Sequence, residues 1–385
     1  MLNPLKNKIN IFYKVATLIV TLLLAACNSS ISLLNNKSDN SDPTKIGLLL
    51  PYGSKIRGDE QLAISLENSA RLAANDLGYG KVQLLVYATE GKPKIASLAA
   101  KKAVQDGAEI ILGPLRSDVA TAAARAVVNK NINVLTFSNN SSISGKNLFL
   151  LGTTFDNISN RLAGFSRKSG AKEWLLIYPR TKEGEIAKKT VIEAAAKNNI
   201  TILGSVSFDL TAESIVEAVP EIADLMESTQ SDSIMLTSNS AGALPLLGQL
   251  LPEKGVDPKL VQYIGLGRWD VSKETLKLPG LQGGWFALPN PTLASKFSSR
   301  YKTIFNQTPH PLASLAYDGV AIIGSLRLRG KNMSSKNLKQ KFGFLGVNGL
   351  IRFAEDGSNE RALSIATIKK NKVKVIDPAL KSFLP

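Results

Sequence analysis

The amino-acid sequence predicts an α/β protein with two lobes, each built on a doubly wound, mostly parallel β-sheet. Short apolar runs typical of buried parallel strands alternate with segments of helical periodicity between residues 45 and 137. The same alternation restarts near residue 174. A chain of 385 residues is also longer than a single hydrophobic core usually serves. The alternation indicates crossover units, and the restart indicates a second sheet.

The first lobe begins with four predicted strands and the helices between them. The strands cover 45–51, 82–87, 109–114 and 132–137, and the helices cover 61–77, 95–106 and 118–130. The first and third strands each end at a proline, Pro51 and Pro114, which indicates a turn. The first helix is predicted because Leu62, Leu66 and Ala70 recur at helical spacing and so share one face.

The second lobe repeats this order, and the chain then returns. Strands are predicted over 174–178, 201–208, 233–237 and 262–266, and helices over 185–198 and 215–228. Near Pro289 the pattern changes to helices over 293–306 and 312–328, followed by short strands over 349–353 and 363–369. These late elements indicate that the chain crosses between the lobes more than once. We expect residues 44–158 and 289–340 in one lobe and residues 159–288 and 341–385 in the other.

The first 43 residues have the composition of a secretion signal followed by a tether. Lys6, Lys8 and Lys14 precede an apolar run over 15–26, which is about half as long as a membrane-spanning helix needs. Residues 24–27, Leu-Ala-Ala-Cys, resemble the lipobox of bacterial lipoproteins, whose Cys is lipidated and becomes the N-terminus. This predicts a signal peptide over 1–26, lipidation at Cys27 and a lipidated tether over 27–43. The alternatives are an uncleaved anchor and an ordinary signal with a chance Cys.

The chain is strongly basic, with a formal net charge of +16. Such an excess of Lys and Arg favours anionic neighbours such as lipid headgroups or cell-wall polymers. The charges are spread along the sequence without a nucleic-acid-binding motif, so a solvated basic surface is the simpler interpretation and no nucleic-acid partner is expected. Cys27 is the only Cys, so no disulfide is expected.

Residues typical of catalysis are scarce. The only His, His310, lies between two prolines, so a Ser-His-Asp triad would depend on it alone. Residues 53–58 have the glycine spacing of a phosphate-binding loop, but Asp59 stands where that loop requires Lys. Zinc lacks its usual nitrogen and sulfur ligands. The sequence therefore predicts a protein that is not an enzyme and holds no metal or cofactor.

Polar side chains follow two predicted strands of the first lobe, at the point where each strand ends. Ser117 follows the third strand, and Ser138, Asn139 and Ser141 follow the fourth. Open α/β sheets bind ligands at this edge. The backbone N–H groups of a helix start near Ser117 also suit a carboxylate. A plain helix cap and simple turn formation are the structural alternatives.

Two tryptophans, Trp269 and Trp285, flank the last strands of the second lobe. An aromatic ring at a strand end can form a stacking wall for a ligand, a core contact or part of a partner interface. The sequence alone leaves these three interpretations open.

Segments 45–51, 111–117 and 133–138 together resemble the leucine-binding-type periplasmic binding proteins, and the similarity covers residues 44 to about 370. Further segments resemble one branch of that superfamily, the penicillin-binding protein activator lipoproteins: 265–270, 281–287, 315–319, 346–349 and 356–361. The resemblance implies a type I periplasmic-binding fold, with Ser117 and Ser141 at the positions that hold a ligand carboxylate. Gly267 stands where the superfamily has its amine-binding acid, and Asp270 is the candidate substitute. The aromatic residue expected near 181–185 is missing.

Two functions follow from this resemblance. One is a solute-binding lipoprotein that delivers an amino-acid-like ligand to the permease of an ABC importer. The other is a penicillin-binding protein activator, a scaffold that contacts a peptidoglycan synthase. Both imply a lipid-anchored protein at the periplasmic face of a bacterial membrane. Asn28 after the lipidated Cys favours the outer membrane, because an Asp there would retain a lipoprotein at the inner membrane.

Overall fold

The computed structural model describes residues 42–383, so the predicted signal peptide, the lipidation site Cys27 and nearly all of the tether lie outside the described residues. From Thr44 onward the chain forms one compact unit. Within the described part of the chain, no helix is both long and apolar enough to cross a membrane.

The first lobe is built on a five-stranded, fully parallel sheet in the order β2-β1-β3-β4-β5. Its strands are β1 (Thr44–Leu50), β2 (Val82–Ala88), β3 (Ile110–Leu112), β4 (Asn133–Thr136) and β5 (Leu148–Leu150). Its crossover helices are α1 (Asp59–Leu77), α2 (Pro93–Gln105) and α3 (Ser117–Val127). Helices cover both faces of the sheet, which is why β3 is apolar and buried throughout and why β1 and β4 are buried at every position except Lys45.

The second lobe is built on a seven-stranded mixed sheet in the order β15-β14-β10-β9-β8-β6-β7. It contains β6 (Glu173–Pro179), β7 (Thr201–Phe208), β8 (Ser233–Leu236), β9 (Gln262–Gly265), β10 (Trp285–Leu288), β14 (Ser364–Lys369) and β15 (Lys372–Asp377). Its helices are α4 (Phe155–Ser169), α5 (Lys182–Lys197), α6 (Ala212–Thr229) and α7 (Leu244–Glu253). Strand β14 pairs antiparallel with both of its neighbours, β10 and β15, and the other four pairings are parallel. The predicted two-lobed α/β fold is confirmed.

The returning chain adds three helices and a small antiparallel sheet. They are α8 (Pro291–Phe305), α9 (Ser314–Leu328), α10 (Ser335–Leu338), β11 (Phe344–Gly346), β12 (Gly349–Phe353) and β13 (Asn359–Arg361). The lobe boundaries remain a prediction, but residues after 340 divide between the two lobes. Phe344, Ile351 and Phe353 pack in the core of the first sheet, whereas β14 and β15 extend the second. Hydrophobic alternation locates such strands but does not show which sheet they cover.

The element bounds place three crossings between the lobes, at residues 151–154, 289–290 and 362–363. A buried ion pair lies beside the first and third crossings. Arg361 donates to Leu151 O and to Asp318 Oδ2, and both charged side chains are at most 1% exposed. Asp318 Oδ1 also accepts from Val347 N at 2.7 Å, and Asn359 Nδ2 donates to two carbonyls around Leu151. These contacts bring three segments together beside the first and third crossings, which we call the hinge: 315–319, 346–349 and 356–361.

Trp269 belongs to the core of the second lobe and is fully buried. Its indole lies directly over Gly265 and Gly284, where a Cβ atom would overlap the ring. Trp285 is half-buried and packs edge-on against Phe165 at 4.9 Å between ring centroids. These contacts support the core interpretation of both tryptophans and give the glycines of segments 265–270 and 281–287 a packing role.

Candidate functional site

A cavity of about 450 Å³ lies between the lobes at the carboxyl ends of β3 and β4, and we call it the polar cavity. Its lining residues are Ser117, Asp118, Asn139, Asn140, Ser141, Phe155, Lys182, Glu183, Ile186 and Thr190. The first five come from the first lobe, and the rest come from the start of α4 and from α5. Both lobes therefore contribute polar groups to the same cavity.

The first-lobe wall is held by a hydrogen-bonded group of short polar side chains. Ser117 Oγ lies 3.3 Å from Ser138 Oγ and accepts from Asn140 Nδ2 at 3.2 Å. Ser138 is 4% exposed, and its Oγ also accepts from Asn140 N. The hydroxyl of Ser117 thus bonds to the β4 loop, and the cap position of α3 is Arg116, which makes no side-chain cap. The N–H groups of the first helical turn receive no such cap and remain suited to a carboxylate.

Arg116, next to Ser117, fixes this loop to the start of α1. Both terminal nitrogens of its guanidinium donate to the Asp59 carboxylate, each at 2.8 Å, and the Asp59 side chain is 6% exposed. Hydrogen bonding from Arg116 holds the pKa of Asp59 below its ordinary value, although burial opposes the shift. Asp59 stands where a phosphate-binding loop would need Lys, and its role is instead structural: it holds Arg116 and so supports the cavity wall.

This pair predicts a pH-dependent stability. Asp59→Asn should lower the free energy of unfolding by about 1.5–3 kcal/mol near neutral pH, because a charge-assisted hydrogen bond is lost. A lowered folded-state pKa means that the stabilisation is complete above the unfolded pKa of about 3.9 and disappears as the pH falls through the folded-state pKa. Urea denaturation of both proteins at a series of pH values measures the difference.

The matched control is Asp209→Asn, which breaks the exposed pair between Asp209 and Arg180. Water and salt screen an exposed pair, so this variant should differ little from the wild type. A difference in unfolding free energy between wild type and Asp59→Asn that does not shrink as the pH falls below the unfolded pKa of about 3.9 would contradict the assignment.

The second-lobe wall is the first turn of α5. Thr181 Oγ1 accepts from Gly184 N at 3.0 Å, so the helix starts with a capped turn. Gly184 lies directly against Pro179 O, which leaves no space for a side chain and brings the helix start close to the end of β6. This placement presents Lys182 and Glu183 to the polar cavity, where both side chains are exposed.

A second cavity, which we call the apolar cavity, occupies about 330 Å³ nearer the crossings. It is lined mainly by apolar side chains of both lobes, including Leu115, Phe137, Leu288 and Leu312. Asn139 lines both cavities, so they adjoin each other at this residue. An apolar space beside a polar one suits a ligand with a charged end and an apolar body.

Asp270 does not line the polar cavity or the apolar cavity. Its carboxylate accepts two hydrogen bonds from the Arg268 guanidinium, at 2.8 and 2.5 Å. Arg268, two residues earlier, lines the apolar cavity instead. A carboxylate already neutralised by Arg268 is a poor partner for a ligand amine.

The structure brings Ser117, Asn139 and Ser141 to the polar cavity and places Ser138 behind Ser117 as a support. Sequence reasoning missed Phe155 and Glu183, which supply an aromatic ring and an acid from the second lobe. Phe155 follows the capping residue Thr154, whose side chain bonds Asn157 N in a capping box. This capping box is the sequence pattern that could have predicted a helix start here, and with it the position of Phe155 at the edge of the second lobe.

A family model described as periplasmic binding protein matches residues 43–372. Among solved structures, a Rhodospirillum rubrum protein assigned to branched-chain amino acid ABC transport aligns with a TM-score of 0.75 and 18% identity, covering 87% of this chain and 100% of the other. A Desulfitobacterium hafniense substrate-binding protein in complex with Leu gives 0.65 and 16%, covering 87% and 100%.

A solute-binding protein from R. palustris in complex with benzoate gives a TM-score of 0.59 and 16% identity, covering 88% of this chain and 97% of the other. No curated protein sequence matches this chain. At these identities the structural neighbours show the fold, while the match to the family model covers most of the chain.

Proposed function

This chain belongs to the periplasmic binding protein family, and on that premise we propose that it binds an amino-acid-like solute between its lobes for an ABC importer. Membership of the family implies a periplasmic location and a binding role instead of catalysis. The observation that supports the proposed ligand is the polar cavity, which combines groups for a carboxylate and an ammonium and adjoins the apolar cavity, which suits an apolar side chain.

The carboxylate of the solute is assigned to the first-lobe wall. Ser117 lies at the first turn of α3, where backbone N–H groups and the helix dipole favour an anion. Asn139 and Ser141 add an amide and a hydroxyl from the adjoining loop. Lys182 across the cavity adds a positive charge at the start of a second helix. A carboxylate between these groups would accept hydrogen bonds from both lobes.

The ammonium group of the solute is assigned to Glu183. This residue is the acid that α5 presents to the polar cavity, opposite the wall that contains Ser117. Glu183 replaces Asp270 in this role, because the Asp270 carboxylate is engaged by Arg268. Phe155 beside it can pack against the solute backbone or against the ammonium group itself.

The apolar cavity is assigned to the side chain of the solute. Its lining by Leu115, Phe137 and Leu312 would exclude water from an aliphatic or aromatic group. Asn139 lies where the two cavities adjoin, so one molecule can occupy both. Closure of the lobes about the three crossings would then enclose the solute and present a closed form to a permease.

The partner in this proposal is the permease of an ABC importer, and the protein is lipid-anchored through Cys27 at the periplasmic face of its membrane. The alternative, a penicillin-binding protein activator, needs an outer surface for a peptidoglycan synthase. Trp269 cannot serve such a surface, because its ring is fully buried in the second lobe.

Two substitutions test the site from opposite lobes. Ser117→Ala and Glu183→Gln should each weaken the binding of a suitable amino acid about 10- to 150-fold, because each removes a charge-assisted hydrogen bond of about 1.5–3 kcal/mol. Isothermal titration calorimetry with each variant measures the change in Kd.

The matched controls are Glu185→Gln, two residues along α5 and outside the lining of either cavity, and Ser228→Ala on α6. Both should bind like the wild type. Unchanged binding by Ser117→Ala and Glu183→Gln would contradict the proposed site. Normal solute uptake in cells that carry these variants, together with loss of peptidoglycan-synthase regulation on deleting the gene, would favour the activator.

A further inference from the structure

Helices α1 and α9 both finish at the end of the first lobe that lies opposite the polar cavity. Leu77, the last residue of α1, packs directly against Gly324 of α9, so the helices finish on the same side. Thr44 N donates to Lys81 O at 3.2 Å, which places the start of β1 at this end too. Thr44 therefore lies on the side of the lobe away from the polar cavity, and the chain enters the lobe there.

The segment after α9 crosses the same end. Asn133, the first residue of β4, donates to Met333 O at 2.7 Å and accepts from Ser335 Oγ at 3.0 Å. Gln340 Oε1 accepts from Arg329 at 3.2 Å, which holds the start of the small sheet beside the end of α9. We call residues 328–342 and Tyr79 together the basic end.

The basic end has a one-sided charge. Between residues 319 and 354 the sequence contains seven Lys or Arg residues and no Asp or Glu. Lys331, Lys336 and Lys341 are exposed, whereas Lys339 pairs with Glu355 and Arg352 pairs with Glu360. A surface of this sign attracts an anionic partner without requiring a particular sequence or shape from it.

Large apolar side chains stand among these cations. Leu328 and Phe342 are 58% and 66% exposed, and Tyr79 is fully exposed. Leu328 follows Gly324 by one helical turn, and Tyr79 follows Leu77 by two residues, so both project beyond the contact between α1 and α9. Cations mixed with exposed aromatic and aliphatic side chains are typical of surfaces that lie in a membrane interface.

We infer that the basic end docks on an anionic lipid bilayer. Lys331, Lys336 and Lys341 contact headgroup phosphates, while Leu328 and Phe342 enter the boundary between headgroups and acyl chains. A soluble polyanion would match the charge but would leave the apolar side chains exposed. Because the chain enters the lobe at this end, docking leaves the opposite end, with the polar cavity, facing away from the bilayer.

Co-sedimentation with vesicles tests this inference. The protein used is residues 42–385, which contains the whole compact unit and lacks Cys27, so that no lipid anchor contributes. It should bind vesicles of equal parts phosphatidylglycerol and phosphatidylcholine but not vesicles of phosphatidylcholine alone. Replacing Lys331, Lys336 and Lys341 with Gln should weaken binding on the order of 100-fold, about fivefold for each Lys. The double variant Leu328→Ser, Phe342→Ser should also bind the phosphatidylglycerol vesicles more weakly.

The matched control replaces three exposed lysines of the second lobe, Lys254, Lys259 and Lys273, with Gln and so removes the same net charge. This control should retain most of the binding, and thermal melting should show that every variant is folded. Equal losses in the two triple variants, equal binding to both kinds of vesicle, or unchanged binding by the Leu328 and Phe342 variant would overturn the inference. Binding to soluble dextran sulfate with no vesicle binding would overturn it as well.

Discussion

Arg361→Met is expected to lower the free energy of unfolding by about 3–5 kcal/mol, because it leaves the Asp318 carboxylate buried without its cation. Asp318 is 0% exposed and lies directly against Gly346, so water cannot replace the guanidinium without rearrangement of the hinge. The substitution also removes the hydrogen bonds to Leu151 O in the first crossing. Urea denaturation followed by tryptophan fluorescence measures the loss.

Arg352→Met is the matched control, because it makes the same substitution one strand away. Arg352 on β12 pairs with Glu360 on β13, but its side chain is 33% exposed and that of Glu360 is 52% exposed. Exposed pairs of this kind contribute about 0–1 kcal/mol. If Arg361→Met and Arg352→Met lowered the free energy of unfolding by similar amounts, burial would not explain the contribution of the Asp318–Arg361 pair to stability.

Trp269→Ala is expected to cost about 3–5 kcal/mol of unfolding free energy, the range for removing a fully buried Trp. The ring fills the space over Gly265 and Gly284 and packs against Phe286, so its removal leaves a cavity that the glycines cannot fill. Chemical denaturation measures the cost, and the thermal midpoint should fall with it.

Trp285→Ala, at the first residue of β10, provides the comparison. Its ring is half-buried, so a smaller loss is expected than for Trp269. A loss below about 1 kcal/mol for Trp269→Ala would contradict its assignment to the core and would reopen the partner-interface interpretation of this ring.

The elements that sequence reasoning located well are those with long apolar periodicity. The helix predicted over 61–77 is observed at Asp59–Leu77, and the strand predicted over 201–208 is observed at Thr201–Phe208. Helix α4 was missed because its apolar residues are diluted by Asn, Ser and charged residues, although Thr154 and Asn157 form a capping box. The predicted strand over 109–114 ends earlier, at Leu112, because Gly113 and Pro114 begin the loop that leads to Ser117.

The first-lobe half of the site could be predicted because strand ends in one parallel sheet share an edge. Ser117, Asn139 and Ser141 do meet there, although no spacing rule shows that Ser138 lies behind Ser117. The second-lobe half could not be predicted, because the approach of α5 to α3 depends on how the two lobes pack. Glu183 is one of several acids on α5, and only the fold separates it from Glu185.

Native mass spectrometry of the protein isolated from its own periplasm tests whether a solute occupies the space between the lobes, once any small molecule released on unfolding is identified. We expect an added mass that unfolding releases as a compound with a carboxylate, an amine and an apolar side chain. The double variant Ser117→Ala, Glu183→Gln should carry none of it. A protein that carries nothing and gives no binding heat with any standard amino acid, or one that carries the same compound in the double variant, would contradict solute binding at this site.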